Sequence, residues 1–206
     1  MQYSLSAMET STKAERTRQS IIEQAACLFN QQGYAGTSLQ DIMAATGLTK
    51  GGIYGHFESK EEIALAAFEH ASGRILQLLA QTINPHHTAI AKLEALLEFY
   101  KKYIIAPPIV GGCPVLNTSV EADDTNPLLR ASVVKVLNKM QRSLEHIVQQ
   151  GIEFGEIKPA VNPEQFAILF ISMIEGGVMI SKAHGKPLYL HTVIKQLQHM
   201  INEMKA

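Results

Sequence analysis

Apolar residues recur along the chain at three- and four-residue spacing, and alternating apolar–polar runs are absent. That period belongs to amphipathic helices, so the pattern predicts an all-α chain of about nine helices. Thr12-Lys13-Ala14-Glu15 has capping-box spacing and opens a helix whose apolar face is Ile22, Ala25, Ala26 and Phe29, ended by Gly33. Ser59-Lys60-Glu61-Glu62 repeats that spacing and opens a long helix with Ile63, Ala67, His70, Ala71, Ile75 and Leu78 on one stripe. Asn84-Pro85, Asn126-Pro127 and Asn162-Pro163 share one device, Asn as N-cap with Pro at the first helical position, and mark three further starts. The Asn84 helix runs toward Tyr103 and stops before Pro107-Pro108. The Asn126 helix is lined by Val133, Val136, Leu137, Met140, Leu144, Ile147 and Val148. The Asn162 helix is apolar nearly all round, which predicts burial on every side. The last helix, Tyr189 to about Met204, carries Leu190, Val193, Ile194, Leu197, Ile201 and Met204. Met1 to Ser11 read as a disordered tail, and Glu121-Ala122-Asp123-Asp124 as a solvated loop.

The segment Thr37–Lys60, TSLQDIMAATGLTKGGIYGHFESK, reads as two short helices around a tight turn at Gly47. Helix, glycine turn, short helix is the helix-turn-helix layout, in which the second helix enters the DNA major groove. That second helix, Thr49 to Phe57, contains Gly51, Gly52 and Gly55, each costing about 1 kcal/mol against alanine. It is too short to stand alone. Ile53 and Phe57 are the anchors available to brace it. The glycines make sense if a bulky partner must come close to the backbone. Lys50, Tyr54, His56 and Lys60 supply polar groups suited to phosphates.

Residues from about Thr12 to Lys60 resemble the DNA-binding domain of the TetR family of bacterial repressors. The resemblance is carried by Ile21, Ala25, Phe29, Gly33, Tyr34, Thr37, Ile42, Gly47, the run Thr49 to Phe57, and Ser59-Lys60-Glu61. It implies a DNA-binding domain over 12–60 and a ligand-binding and dimerisation domain over 61–206. It further implies that Thr37, Ser38, Gln40, Thr49, Lys50, Gly51, Gly52, Tyr54, His56 and Lys60 form the face toward double-stranded operator DNA. Lys60 and Tyr54 are expected on phosphates, and Gln40 and Lys50 on base edges, Gln suiting adenine and Lys guanine. With glycine at 51 and 52, specificity leans on backbone contacts and DNA shape.

Net charge is −1, so no global basic signal accompanies this reading. A local patch is required instead, with Arg16 and Arg18 near a helix start as further candidates. Two cysteines, Cys27 and Cys113, give no disulfide framework. The N-terminus has no secretion pattern, and the most apolar run, Phe166 to Ile174, stops at Glu175-Gly176-Gly177, too short for a bilayer. A cytoplasmic protein without membrane contact is expected. No Cys/His/Asp cluster has metal spacing, and no P-loop or GxSxG elbow occurs, so no metal, cofactor or catalytic site is predicted.

An HTH head reads one half-site, so a homodimer is expected, built in the resembling family from the last two helices. Gly176 and Gly177 could admit a partner helix there. The middle helices carry Phe99, Tyr100, Tyr103, Met140, Leu144, Phe170 and Met173, which suit either an apolar ligand pocket or a filled core. The resemblance implies a cavity for a small, largely apolar effector among them, with Cys113 and Leu116 as further candidates. Cys113, in Gly111-Gly112-Cys113-Pro114, is open to two readings: a buried packing residue, or a thiol sensor activated by a helix N-terminus. Two other classes compete: an enzyme using Cys113 as nucleophile, for which the sequence places no base nearby, and a ligand module whose head does not bind DNA.

Overall fold

A computed structural model describes residues 12–206. The tail expected at Met1 to Ser11 lies outside the described residues. Among the described residues nine helices follow in order: α1 Lys13–Gly36, α2 Leu39–Thr46, α3 Lys50–Tyr54, α4 Lys60–Ile83, α5 Ala89–Tyr103, α6 Pro114–Ala122, α7 Pro127–Glu153, α8 Pro163–His184 and α9 Leu188–Met204. Among the described residues the only β pairing is an isolated antiparallel bridge between Ile157 and Lys205. The all-α reading therefore holds.

The caps explain most of the boundaries. Thr12 and Glu15 form the expected capping box at α1. Ser38 and Asp41 form another at α2. Ser59 caps α4 by accepting from the Glu62 amide, but the Glu62 carboxylate accepts from Glu58 instead of returning to Ser59. Asn126 and Asn162 cap α7 and α8 as predicted, each with Pro at the first turn. Asn84 does not start a helix. It is the C-terminal cap of α4, its amide bonded to Ala80, and α5 begins five residues later behind Thr88, whose hydroxyl accepts from the Ala91 amide. The hydroxyl cap outcompetes the Asn-Pro pair because Pro85 falls in the turn between the two helices.

α1, α2 and α3 form a small head around Ile21, Ile22, Ala25, Ile42, Ile53 and Phe57, all buried. α4 lies along α1 and continues into the bundle of α5 to α9. It therefore shares a surface with both the head and the bundle. In the bundle, α8 is sandwiched between α7 and α9. It continues past Glu175-Gly176-Gly177, where the most apolar run ends, for 22 residues in all to His184, and by length and composition alone could cross a membrane. Its contacts with α7 and α9 are those of a core helix. Contrary to expectation it is not buried on every side: Ile168, Leu169, Met179 and Ile180 face outward in the single chain.

Candidate nucleic-acid interface and effector cavities

α3 is held from behind and bare in front. Thr49 caps it by accepting from the Gly52 amide at 3.2 Å. Ile53 and Phe57 point inward and are 0% and 2% exposed, respectively. Phe57 is covered in turn by Arg18, whose guanidinium carbon stands 4.5 Å from the ring centroid and which also pairs with Glu62 at 3.7 Å. Arg18 is thus spent on bracing the head rather than waiting for a phosphate. The turn before α3 closes at Gly47, with φ of 70°.

On the outer side Ser38, Gln40, Thr49, Lys50, Gly51 and Tyr54 are exposed, and Gly52 and His56 half-exposed. The Lys50 ammonium lies 5.9 Å from the Tyr54 ring centroid, so cation and ring share one patch. Nothing stands within 4 Å of the position a Cβ would take on Gly51, and its φ is not in the left-handed region. The fold itself therefore does not require glycine there. Asp41, beneath this face, is held below the usual carboxylate range by the hydroxyl and amide of Ser38.

Two residues expected on this face have other employment. Thr37 is fully buried, and its hydroxyl donates to the Gly33 carbonyl at 2.7 Å. It closes α1 and has no surface to offer a duplex. Lys60 is half-buried, donates to the Tyr34 carbonyl at 2.5 Å and sits 4.3 Å from the Tyr34 ring centroid. Its first task is to tie α4 to the end of α1.

The end of α1 is also tied to α6. Gly33 breaks the helix with φ of 77°, and there the Glu121 carboxylate accepts from the amides of Tyr34 at 2.6 Å and Ala35 at 2.8 Å. A side chain on Gly33 would meet that carboxylate at 2.7 Å. Glu121 and Ala122 are thus the last turn of α6, not part of a solvated loop. The pattern missed Glu121 because its partners lie more than eighty residues away.

The eight residues expected to line one effector cavity do not share one. Met140, Leu144 and Phe170 border a cavity of about 90 Å³ between α4, α5, α7 and α8, together with Tyr100 and Glu175. Phe99 and Tyr103 border an open cleft on the other side of α5. Cys113, Leu116 and Met173 border neither, because Cys113 and Leu116 start α6 and Met173 turns away on α8. Glu175 is the residue that periodicity missed, although an acidic group inside an otherwise apolar helix was its signal. Burial pushes its carboxyl up to about 7, partly offset by the Cys113 thiol, which donates to Oε1 at 3.1 Å. The other oxygen, and the Tyr103 hydroxyl, have no partner among the described residues. Burial, and then the neighbouring Glu175, push the Cys113 thiol well up, overriding the α6 amides that would lower it. Glu175 is a base within reach, yet the proton stays on sulfur. Cys113 is a buried thiol donor and not an activated thiolate.

Comparison with known proteins agrees with this architecture. Residues 21–67 match the family model described as bacterial regulatory proteins of the tetR family, and residues 89–197 match a tetracyclin repressor-like C-terminal domain. A TetR transcriptional regulator from Chloroflexus aurantiacus J-10-FL superposes with a TM-score of 0.91 at 43% identity, covering 94% of this chain and 98% of that one. A TetR-family regulator from Cytophaga hutchinsonii gives 0.88 at 37% identity, covering 95% and 98%. The HTH-type transcriptional repressor DhaR of Mycobacterium sp. (strain GP1) is 25% identical over 165 residues, 80% of this chain and 82% of that protein. With a braced recognition helix, a helical bundle behind it and matches along both, the chain belongs to the TetR family of bacterial regulatory proteins.

Proposed function

We propose that this transcriptional regulator is a repressor that binds a two-fold operator as a homodimer and leaves it when a small, largely apolar effector enters the bundle. The observation that carries the DNA side is the outer face of α3: Lys50 and Tyr54 beside an open Gly51, backed by buried Ile53 and Phe57. Gln40 and Lys50 are the base readers, and Ser38, Thr49, Tyr54 and His56 the phosphate and backbone contacts. Lys60 acts by positioning Tyr34. The head extends over 12–60, with α4 as the lever into the ligand-binding and dimerisation part.

The dimer forms through α8 and α9. Ile168, Leu169, Met179, Ile180 and Leu188 are 48%, 40%, 52%, 39% and 63% exposed in the single chain, an apolar surface on two adjacent helices. Gly176 is open to a partner, whereas a side chain on Gly177 would meet Leu190 of α9 at 3.0 Å, so that glycine serves packing within the chain. A four-helix bundle from two copies covers this surface and sets two α3 helices about 34 Å apart, one turn of duplex.

The effector seat is the cavity beside Met140, Leu144 and Phe170. At about 90 Å³ it is smaller than the roughly 150 Å³ cavity that takes benzene, so entry must spread α4, α7 and α8. Moving α4 moves the head. The test is selection of duplexes from a randomised pool by the full chain. The account predicts an enriched palindrome bound by two copies. Lys50→Ala should weaken binding and relax the base preference at one position of each half-site. Failure to enrich any sequence would refute the repressor reading.

A further inference from the structure

Among the described residues, a partly enclosed cavity of ligand size lies apart from the one beside Met140, Leu144 and Phe170. It sits where α1 of the head meets α4, α6 and α7, and measures about 320 Å³. Natural ligand sites begin at about 300 Å³. The larger clefts beside α7 and α5 are open surface grooves. We propose that this junction is a second effector site, taking a neutral, largely apolar ring compound that carries one hydroxyl or N–H donor.

The walls define that chemistry. Ala26 of α1 and Ala64, Ala67 and Ala71 of α4 contribute only methyl groups and form a close-packed, buried floor, from which the space opens toward Ala35, Thr118 and Thr125. The Phe29 and Phe68 rings close its apolar side. Polar groups collect on the α6 wall. The Thr118 hydroxyl makes no hydrogen bond among the described residues, and each Glu121 oxygen holds one backbone amide with acceptor capacity to spare. A ligand donor has a place to go. An anion is opposed by Glu121, the one carboxylate in the lining.

Location gives the site its consequence. Glu121 is both part of the cavity wall and the clasp on the Tyr34 and Ala35 amides. A ligand that hydrogen-bonds to Glu121 adds a further donor to the same carboxylate, which weakens its hold on the two amides and loosens α1 from α6. Ligand binding does not depend on the repressor reading; the effect on operator release does.

The experiment uses the full chain with ¹³C-labelled alanine methyls, titrated with 2-naphthol and, separately, with the anion 2-naphthoate. The expected result is saturable shifts at Ala26, Ala64, Ala67 and Ala71, with 2-naphthol at least about tenfold tighter than 2-naphthoate. Amide exchange at Tyr34 and Ala35 should quicken when 2-naphthol is bound. Thr118→Leu, on a partly exposed wall, should abolish the shifts by narrowing the space; if it does not fold, Ala35→Leu narrows it from the exposed side. No saturable shift, shifts confined to other alanines, equal binding of the anion, unchanged exchange, or binding that survives a folded filling variant would each overturn the proposal. None of these readouts uses DNA, so failure here and failure to select an operator are separate results.

Discussion

Glu175 shows what one residue does when apolar neighbours surround it. Its carboxyl titrates near 7 because burial disfavours the charge, while an unfolded chain releases the proton near 4.5. Between those values the folded state holds the proton that the unfolded state has lost. Stability therefore falls as pH rises through the window from about 4.5 to about 7, and the full penalty, on the order of 3 kcal/mol, is present above it. Glu175→Gln keeps an acceptor for Cys113 and removes the charge. Denaturant unfolding should find the variant more stable than the wild type at pH 8 and indistinguishable near pH 4.5. Equal stability of the two proteins at pH 8 would contradict the burial. Both Glu175 and Glu121 escaped the sequence pattern for the same reason. Periodicity reports which face a residue occupies, but the partners of these carboxylates lie 62 and about 87 residues away.

At the scale of elements, the signals that proved readable were local. Thr12, Asn126 and Asn162 announced α1, α7 and α8 because a cap is made within three residues of itself. Asn84 misled because an Asn-Pro pair fits a turn as well as a helix start, and Thr88 was the better cap. Gly176 and Gly177 end the most apolar run of α8 but lie inside the helix. Their surroundings explain why glycine is tolerated there: Gly177 lets Leu190 of α9 approach, and Gly176 faces open space. The outward stripe of α8 leads to an element-level prediction. Met179→Glu together with Ile180→Lys should leave the helix content unchanged and shift the protein to monomer in sedimentation at micromolar concentration. A dimer that survives both changes would place the interface elsewhere.

For the whole molecule, the head and the bundle meet along three routes: α4, the Glu121 clasp on α1, and Asn30, which donates to the carbonyls of Val110 and Gly112 before α6. Asn117 returns from α6 to the Asn30 side chain at 2.8 Å, and Lys182 of α8 donates to the Gly111 carbonyl. A change of spacing in the bundle is thus transmitted to α1 by hydrogen bonds as well as by packing. The exposure of Lys50, Gly51 and Tyr54 on the outer face of α3 was readable from sequence, while the burial of Thr37 was not, since a hydroxyl that closes α1 and a hydroxyl on the surface look alike in sequence. The account's central claim is that α3 is bare at Gly51 because a duplex must lie against it. The direct measurement is Gly51→Ala, read for both stability and affinity on the selected operator. Alanine meets open space there and favours the helix, so the protein should gain up to about 1 kcal/mol in unfolding free energy. Operator affinity should fall about tenfold or more, a loss of about 1.4 kcal/mol. A variant that is stabilised and binds the operator as tightly as the wild type would contradict the account.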